Sequence, residues 1–334
     1  MVETMSKIYF SLTAFCVLVF CGNSSSLLAQ ADGHRSYWIG NSLTNDLVTE
    51  GGFENLASFN SDTFLASQHV QCSTSLTGIL DSAMSDPGTD HTCTGTASKA
   101  GADYDLGTFP GSFDHQIDTL VFQPFQNATL REEIAASKSI IDALRSNPAN
   151  VDTRIVIYQT WDLRRSSSDY LDDWYGRTAE LDEEFRPSKA AYDALFADLT
   201  SSGYEFDVIP AGEAFANASE ALLQGPLGNV TDTTDLFRDF IHSSNAGRYL
   251  GSLVASEVLT GRSSLNLPDA DQLPSFQTSR LGFIADSEAS AALRQIAHST
   301  VAGVPEPSVV ILLGFAILGC GARRIRQRQD RHGS

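Results

Sequence analysis

The chain has 334 residues, 42% of them hydrophobic and 19% charged, a composition that suits a globular protein with one large α/β core. Its net charge is −19. Residues 1–30 set Lys7 against Glu3, and residues 305–334 set five arginines against Glu306 and Asp330, which leaves −22 on residues 31–304. So acidic a body repels phosphate backbones and anionic lipid, so nucleic acid is excluded as a partner and membrane contact is confined to the terminal segments.

In chain order, Lys7 precedes an apolar run from Ile8 to Phe20, followed by small residues up to Ala31. This is the pattern of a secretory signal over residues 1–30, with cleavage near Ala29 or Ala31. Cys21 would suit a lipoprotein site, but the bulky Phe20 before it argues against one, and the run is short for a retained span. The body follows over residues 31–261. Tyr37–Ile39 reads as the first strand of a parallel sheet. Gly40 and Asn41 permit a sharp turn, and a helix is predicted from Leu43 to about Phe59, loosened at Gly51-Gly52. Ser42 therefore stands at the C-terminal edge of a strand, where open α/β sheets bind ligands and where backbone N–H groups are free to meet an anion. The plainer reading of Ser42 is a helix N-cap.

A second strand is expected over Thr63–Gln71, running into the small polar residues Cys72 to Gly78. Residues 81–112 read as a long surface loop, either a wall of the cleft or plain solvated chain. Ile117–Phe125 is a strong third strand that stops at Pro124, with Gln123 at its end. A helix from Leu130 to Leu144 and a fourth strand, Thr153–Gln159, come next. Trp161 is either a cleft wall or a buried ring. Residues 164–185 are a charged excursion whose aromatics, Tyr170, Trp174 and Tyr175, either bind carbohydrate or pack the loop down. Helix Lys189–Leu199, strand Glu205–Ile209 and a helix from Gly212 to about Leu223 complete the alternation. The pattern predicts a three-layer α/β domain with a five-stranded, mainly parallel, flavodoxin-like sheet.

Near the end of the body, Asp239 stands three residues before His242, just ahead of a helix over Ala246–Leu259 that Gly261 ends. Residues 262–304 read as a polar linker carrying a short helix, Glu288–Ala297. Together Gly40-Asn41-Ser42-Leu43 and Asp239-x-x-His242 resemble the first and last blocks of the SGNH/GDSL hydrolase family, with Asn41 where many members have Asp. The resemblance spans Tyr37 to Leu259. It implies a Ser42 nucleophile, a His242 base and an Asp239 that orients it. It also implies an oxyanion hole made by the Ser42 N–H, a backbone N–H near Ser73 and a side-chain amide. For that amide Gln123 is first choice and Asn127 second, since the family's Gly-x-Asn setting is absent here, as is its loop glycine near Ser73. The chain has no Gly-x-Ser-x-Gly elbow, phosphate loop or dinucleotide fingerprint, and no cofactor or metal is called for.

The C-terminus runs Val304-Pro305-Glu306-Pro307-Ser308, an apolar stretch from Val309 to Ala322, then Arg323-Arg324-Ile325-Arg326-Gln327-Arg328. Over 305–328 this resembles the PEP-CTERM sorting signal. The resemblance implies export, transient membrane anchoring, an exosortase-type processing partner, a destination at the cell surface or in the extracellular matrix, and an association with exopolysaccharide; a plain tail anchor is the alternative. Cys72 and Cys93 are the two cysteines outside the terminal segments, and export makes a bridge between them the expected state, with two buried thiols as the alternative. The function expected from these readings is an exported serine esterase acting on small acyl esters, acetyl groups on carbohydrate among them. A non-catalytic surface protein of the same fold and an exopolysaccharide O-acyltransferase are the alternatives.

Overall fold

The computed structural model describes residues 34–48, 52–59, 64–85, 106, 109–277 and 281–303. The expected signal segment, most of the 81–112 loop, Cys93 and the C-terminal sorting segment lie outside them.

Five strands form one all-parallel sheet in the order β2-β1-β3-β4-β5. They are β1 (His34–Gly40), β2 (Phe64–Val70), β3 (Thr119–Phe122), β4 (Arg154–Gln159) and β5 (Asp207–Pro210). In β1, Trp38 stands opposite Gln68 of β2 and Val121 of β3. Strands covered on both faces need apolar side chains on both. Accordingly Tyr37, Trp38, Ile39, Leu120, Val121, Phe122, Val156, Ile157 and Tyr158 are all fully buried. The flavodoxin-like order puts the topological switch between β1 and β3, and the crevice there opens at the strands' C-terminal ends.

The helices are α1 (Ser42–Val48), α2 (Gly52–Phe59), α3 (Leu76–Ser85), α4 (Leu130–Arg145), α5 (Ser167–Gly176), α6 (Lys189–Ser201), α7 (Ala211–Gln224), α8 (Asn245–Thr260) and α9 (Ser287–Gly303). Two packed sets flank the sheet: α3, α4 and α6 in one, and α2, α7, α8 and α9 in the other. α8 is buried along almost its whole length, gripped by α2, α7 and α9.

Four elements differ from the sequence-based expectation. Residues 81–85, expected to open the long loop, are the end of α3. The first predicted helix is two, α1 and α2, parted at the diglycine; Gly52 packs so tightly that a Cβ there would meet the Ser252 hydroxyl at 2.6 Å. The charged excursion holds α5, whose Tyr170 and Trp174 are fully buried, so these rings serve the core. The expected linker is docked: Leu267, Ala270, Phe276, Ala289, Leu293 and Ala297 all belong to the hydrophobic core, and α9 packs on α8. No described helix is long and apolar enough to cross a membrane. Leu293→Ala is expected to destabilise the fold by about 2–5 kcal/mol, the usual range for emptying a buried leucine site. A urea midpoint unchanged from wild type would mean that α9 hangs free.

Candidate active site

Ser42 is the first residue of α1 and lies at the switch point, directly beyond the end of β1. The capping role open to it in sequence is filled by its neighbour: Asn41 Oδ1 accepts the Leu43 N–H at 3.0 Å. Among the described residues the Ser42 hydroxyl and the Ser42 N–H make no hydrogen bond, and the residue is part-exposed. The serine is thereby left without a structural task.

Gln123 holds this turn together. Its Oε1 accepts from the Thr44 hydroxyl at 2.5 Å, the Thr44 N–H at 3.2 Å and the Asn41 N–H at 3.4 Å, while its Nε2 donates to Asn41 Oδ1 at 2.9 Å. With 1% of its surface exposed, Gln123 is a clamp on the Ser42 turn. The expectation that its amide faces an oxyanion is therefore corrected: three donors converge on its oxygen and draw the side chain inward. Gly40 is required by the same clamp, because a Cβ there would lie 2.1 Å from Thr44 Oγ1 and 2.9 Å from Gln123 Oε1. Gly40→Ala is expected to lower stability by about 1–3 kcal/mol through overpacking and to displace Ser42; a denaturation midpoint equal to wild type would show that the clamp yields freely.

The loop beside the turn carries two unusual backbone conformations. Ser73 has φ 57° and Asn127 has φ 77°. Asparagine tolerates this left-handed region, but for serine it costs about 1–2 kcal/mol. The two residues are joined, with Asn127 Nδ2 donating to the Ser73 carbonyl at 3.0 Å, and Asn41 Nδ2 donates to the neighbouring Thr74 carbonyl at 3.3 Å. The Ser73 N–H has no acceptor among the described residues. Ser73 thus adopts the conformation that a loop glycine would adopt easily.

Beneath this loop lies Glu133, fully buried. Its carboxylate accepts from the Leu76 and Phe125 N–H groups on one oxygen and from the Thr77 N–H and hydroxyl on the other, at 2.9–3.2 Å. It ties the start of α3 to the chain after β3. Burial pushes its carboxyl up to about 7 against the pull of those donors. Its signal in sequence was positional: Glu133 lies in line with Ser137, Ile140 and Leu144 on the inward face of α4.

Asp239 and His242 form a compact unit. Asp239 Oδ1 accepts the Ile241 N–H at 3.0 Å and the His242 N–H at 2.8 Å, and Oδ2 lies 2.9 Å from His242 Nδ1. Burial opposes the Asp239 charge, but those two N–H groups and the histidine ring outweigh it and hold the carboxyl below its ordinary value. An ionised Asp239 accepts the Nδ1 proton, which leaves Nε2 as the basic nitrogen. Nε2 has no partner among the described residues. The turn is buttressed from behind: Trp161 Nε1 donates to the Ile241 carbonyl at 2.7 Å and the Arg164 N–H to the Phe240 carbonyl at 2.8 Å. Trp161 is 1% exposed and stacked on Phe215, so of its two readings the buried ring is the one found. Phe240, between the acid and the base, is 67% exposed.

The turn is also tied to the helix that carries Ser42. Arg238 Nη2 bonds Asp46 Oδ1 at 2.9 Å, and Arg248 Nε donates to the Asp46 carbonyl at 3.0 Å. A separate cavity of ≈ 530 Å³ is lined by Leu130, Arg177, Glu183, Glu184, Phe185 and Arg186 among others. It adjoins the site through Glu184, which accepts the Asn127 N–H at 3.3 Å.

Cys72 is disulfide-bonded. Its expected partner, Cys93, lies outside the described residues. His69 is buried, its Nδ1 accepting the Phe109 N–H, and His298 pairs with Glu257, so neither joins the site. Among the described residues no group of three His, Cys, Asp or Glu side chains is placed to hold a metal ion.

No family model matches this chain, and no curated protein matches it. Among solved structures it is similar to the crystal structure of a DUF4886 family protein from Bacteroides uniformis, with a TM-score of 0.56 and 17% identity over 82% of this chain and 98% of that one. At that identity the likeness is one of fold.

Proposed function

We propose that this protein is an exported serine esterase of the SGNH/GDSL type, cleaving small acyl esters through Ser42, His242 and Asp239. The observation that carries the reading is the Asp239–His242 pair, whose Nε2 has no partner among the described residues and whose turn is fastened to the helix that Ser42 begins. In the reaction Ser42 Oγ attacks the ester carbonyl while His242 Nε2 takes its proton. The same proton passes to the leaving alcohol, and water repeats the sequence to release the acid. The Ser42 N–H and the Ser73 N–H are the backbone donors available to the oxyanion.

Acetyl esters of carbohydrate are the proposed substrates. The exposed Phe240 ring offers an apolar face to a sugar, and the C-terminal segment resembles a signal associated with exopolysaccharide. The same resemblance motivates processing by an exosortase-type enzyme and display at the cell surface. One observation favours the non-catalytic alternative: Gln123 turns inward, so the expected side-chain oxyanion donor is engaged elsewhere. A serine-directed fluorophosphonate separates the two readings. The esterase reading expects one adduct, located at Ser42 by peptide mass spectrometry, together with hydrolysis of a chromogenic acetyl ester. A wild-type protein that neither labels nor hydrolyses favours the binding protein.

A further inference from the structure

Two arginines from the C-terminal part of the chain converge on one residue of the nucleophile helix. Asp46 lies one helical turn after Ser42, so the two share a face of α1. Arg238, four residues before His242, bonds the Asp46 carboxylate; Arg248, six residues after it, bonds the Asp46 carbonyl. Arg238 also spans the acid–base turn itself. Its N–H donates to the His242 carbonyl at 2.9 Å, its Nη1 donates to the Ser243 carbonyl at 3.1 Å, and its Nε is 4.0 Å from Asp239 Oδ2. Asp46 is thus held from both sides of a turn that begins 192 residues further along the chain.

This arrangement is a poor device for stability. Asp46 is 4% exposed, and its Oδ2 is buried with no hydrogen-bond partner. A buried ion pair with one bare oxygen is often replaced by apolar side chains with no loss of stability. What the pair does is fix geometry. Serine attack needs Oγ and Nε2 in hydrogen-bond reach, and the two groups sit on segments with no covalent reason to stay in register.

We propose that Asp46 is a positioning residue that, through the bond of its carboxylate to Arg238, sets the distance between the Ser42 hydroxyl and the His242 ring. The inference rests on the esterase reading and deepens it. Among the described residues no hydrogen bond joins Asp46 to Ser42, Asp239 or His242. Its loss lets the acid–base turn shift relative to α1, and a displacement near 1 Å lowers turnover about 10²-fold.

The test uses the full chain and kcat expressed per active serine, counted by titration with the fluorophosphonate. Asp46→Ala and Arg238→Met are each expected to lower kcat per site about 10²-fold with KM within about 2-fold of wild type. The double variant is expected to be no slower than either single one, since both break the same tie. Asp46→Asn and Arg238→Lys, which keep a weaker bond, should fall in between, and they replace the first pair if either fails to fold. A merely structural Asp46 would reduce the number of titratable sites and the denaturation midpoint while leaving kcat per site unchanged; that result overturns the proposal. Unchanged kcat per site in variants of an active wild type sinks this inference alone. A wild type without Ser42-dependent turnover sinks the esterase reading, and this inference with it.

Discussion

Asp239→Asn is expected to lower ester turnover by about 10³–10⁴-fold while leaving the fold unchanged. The separation follows from which oxygen does what. Oδ1 accepts the Ile241 and His242 N–H groups that shape the turn, and an asparagine oxygen still accepts both, more weakly than a carboxylate. Oδ2 is the nearer oxygen to His242 Nδ1, at 2.9 Å against 3.1 Å for Oδ1, and in its place the substituted side chain presents an amide donor. The ring then turns its lone pair toward that amide and carries its proton on Nε2, where it cannot take one from Ser42. His242→Ala should be at least as severe, because it removes the base itself. Both variants are to be assayed on a chromogenic acetyl ester, with circular dichroism and the urea midpoint as folding controls. A folded Asp239→Asn protein with wild-type turnover would remove Asp239 from the mechanism.

Glu133 carries the second large effect, and it acts on stability. Glu133→Leu leaves three backbone N–H groups and a threonine hydroxyl facing an apolar side chain. Each unpaired buried donor costs about 1–3 kcal/mol, so a loss on the order of 4 kcal/mol is expected, an amount that threatens folding in a protein of ordinary stability. Glu133→Gln is milder, about 1–3 kcal/mol, because the Thr77 hydroxyl can rotate to accept from the new amide while the Thr77 N–H stays unpaired. The charge has its own signature. Burial raises the Glu133 carboxyl from 4.5 to about 7, so between those values the folded state holds a proton that the unfolded chain has released. Its contribution is complete below about pH 4.5 and is lost as the pH climbs through about 7, a difference of ~3 kcal/mol. Asp46 and Asp162, also raised by burial, act in the same direction. Asp118, Asp232 and Asp239 are lowered, and their opposite contribution is lost only on acidification below the ordinary aspartate value. Urea midpoints across pH 4.5–7.5 should therefore fall with rising pH, and more gently in Glu133→Gln. Parallel slopes in the two proteins would show that Glu133 stays ionised throughout.

How much of this was legible in sequence depended on what each residue answers to. The sheet was legible because strands buried on both faces must be apolar runs, and Tyr37–Ile39 and Ile155–Tyr158 are such runs. The Asp239–His242 pair was legible because its geometry is local, three residues in one turn. Gln123 lay correctly at the strand end, but its direction is decided by Asn41 and Thr44, some 80 residues earlier, and no spacing reveals that. Glu133 and Asp46 were not singled out in sequence, since charge on a helix is ordinarily a surface feature. The docking of α9 was hidden by its chemistry. Its buried face is built mostly from small residues, Ala289, Ser290 and Ala297 around Leu293, and small residues give weak amphipathic contrast.

That docked helix also determines how tension would travel through the molecule. α9 is the last described element, and everything C-terminal to Gly303 is attached through it. A pull on the chain's end reaches α9 first and α8, its packing partner, next, and α8 starts three residues after His242. β1 and the Ser42 turn lie at the other end of the chain. A load applied there therefore enters on the base's side of the crevice, and it reaches the nucleophile's helix through the packing of α1 on α8 and the arginines that hold Asp46.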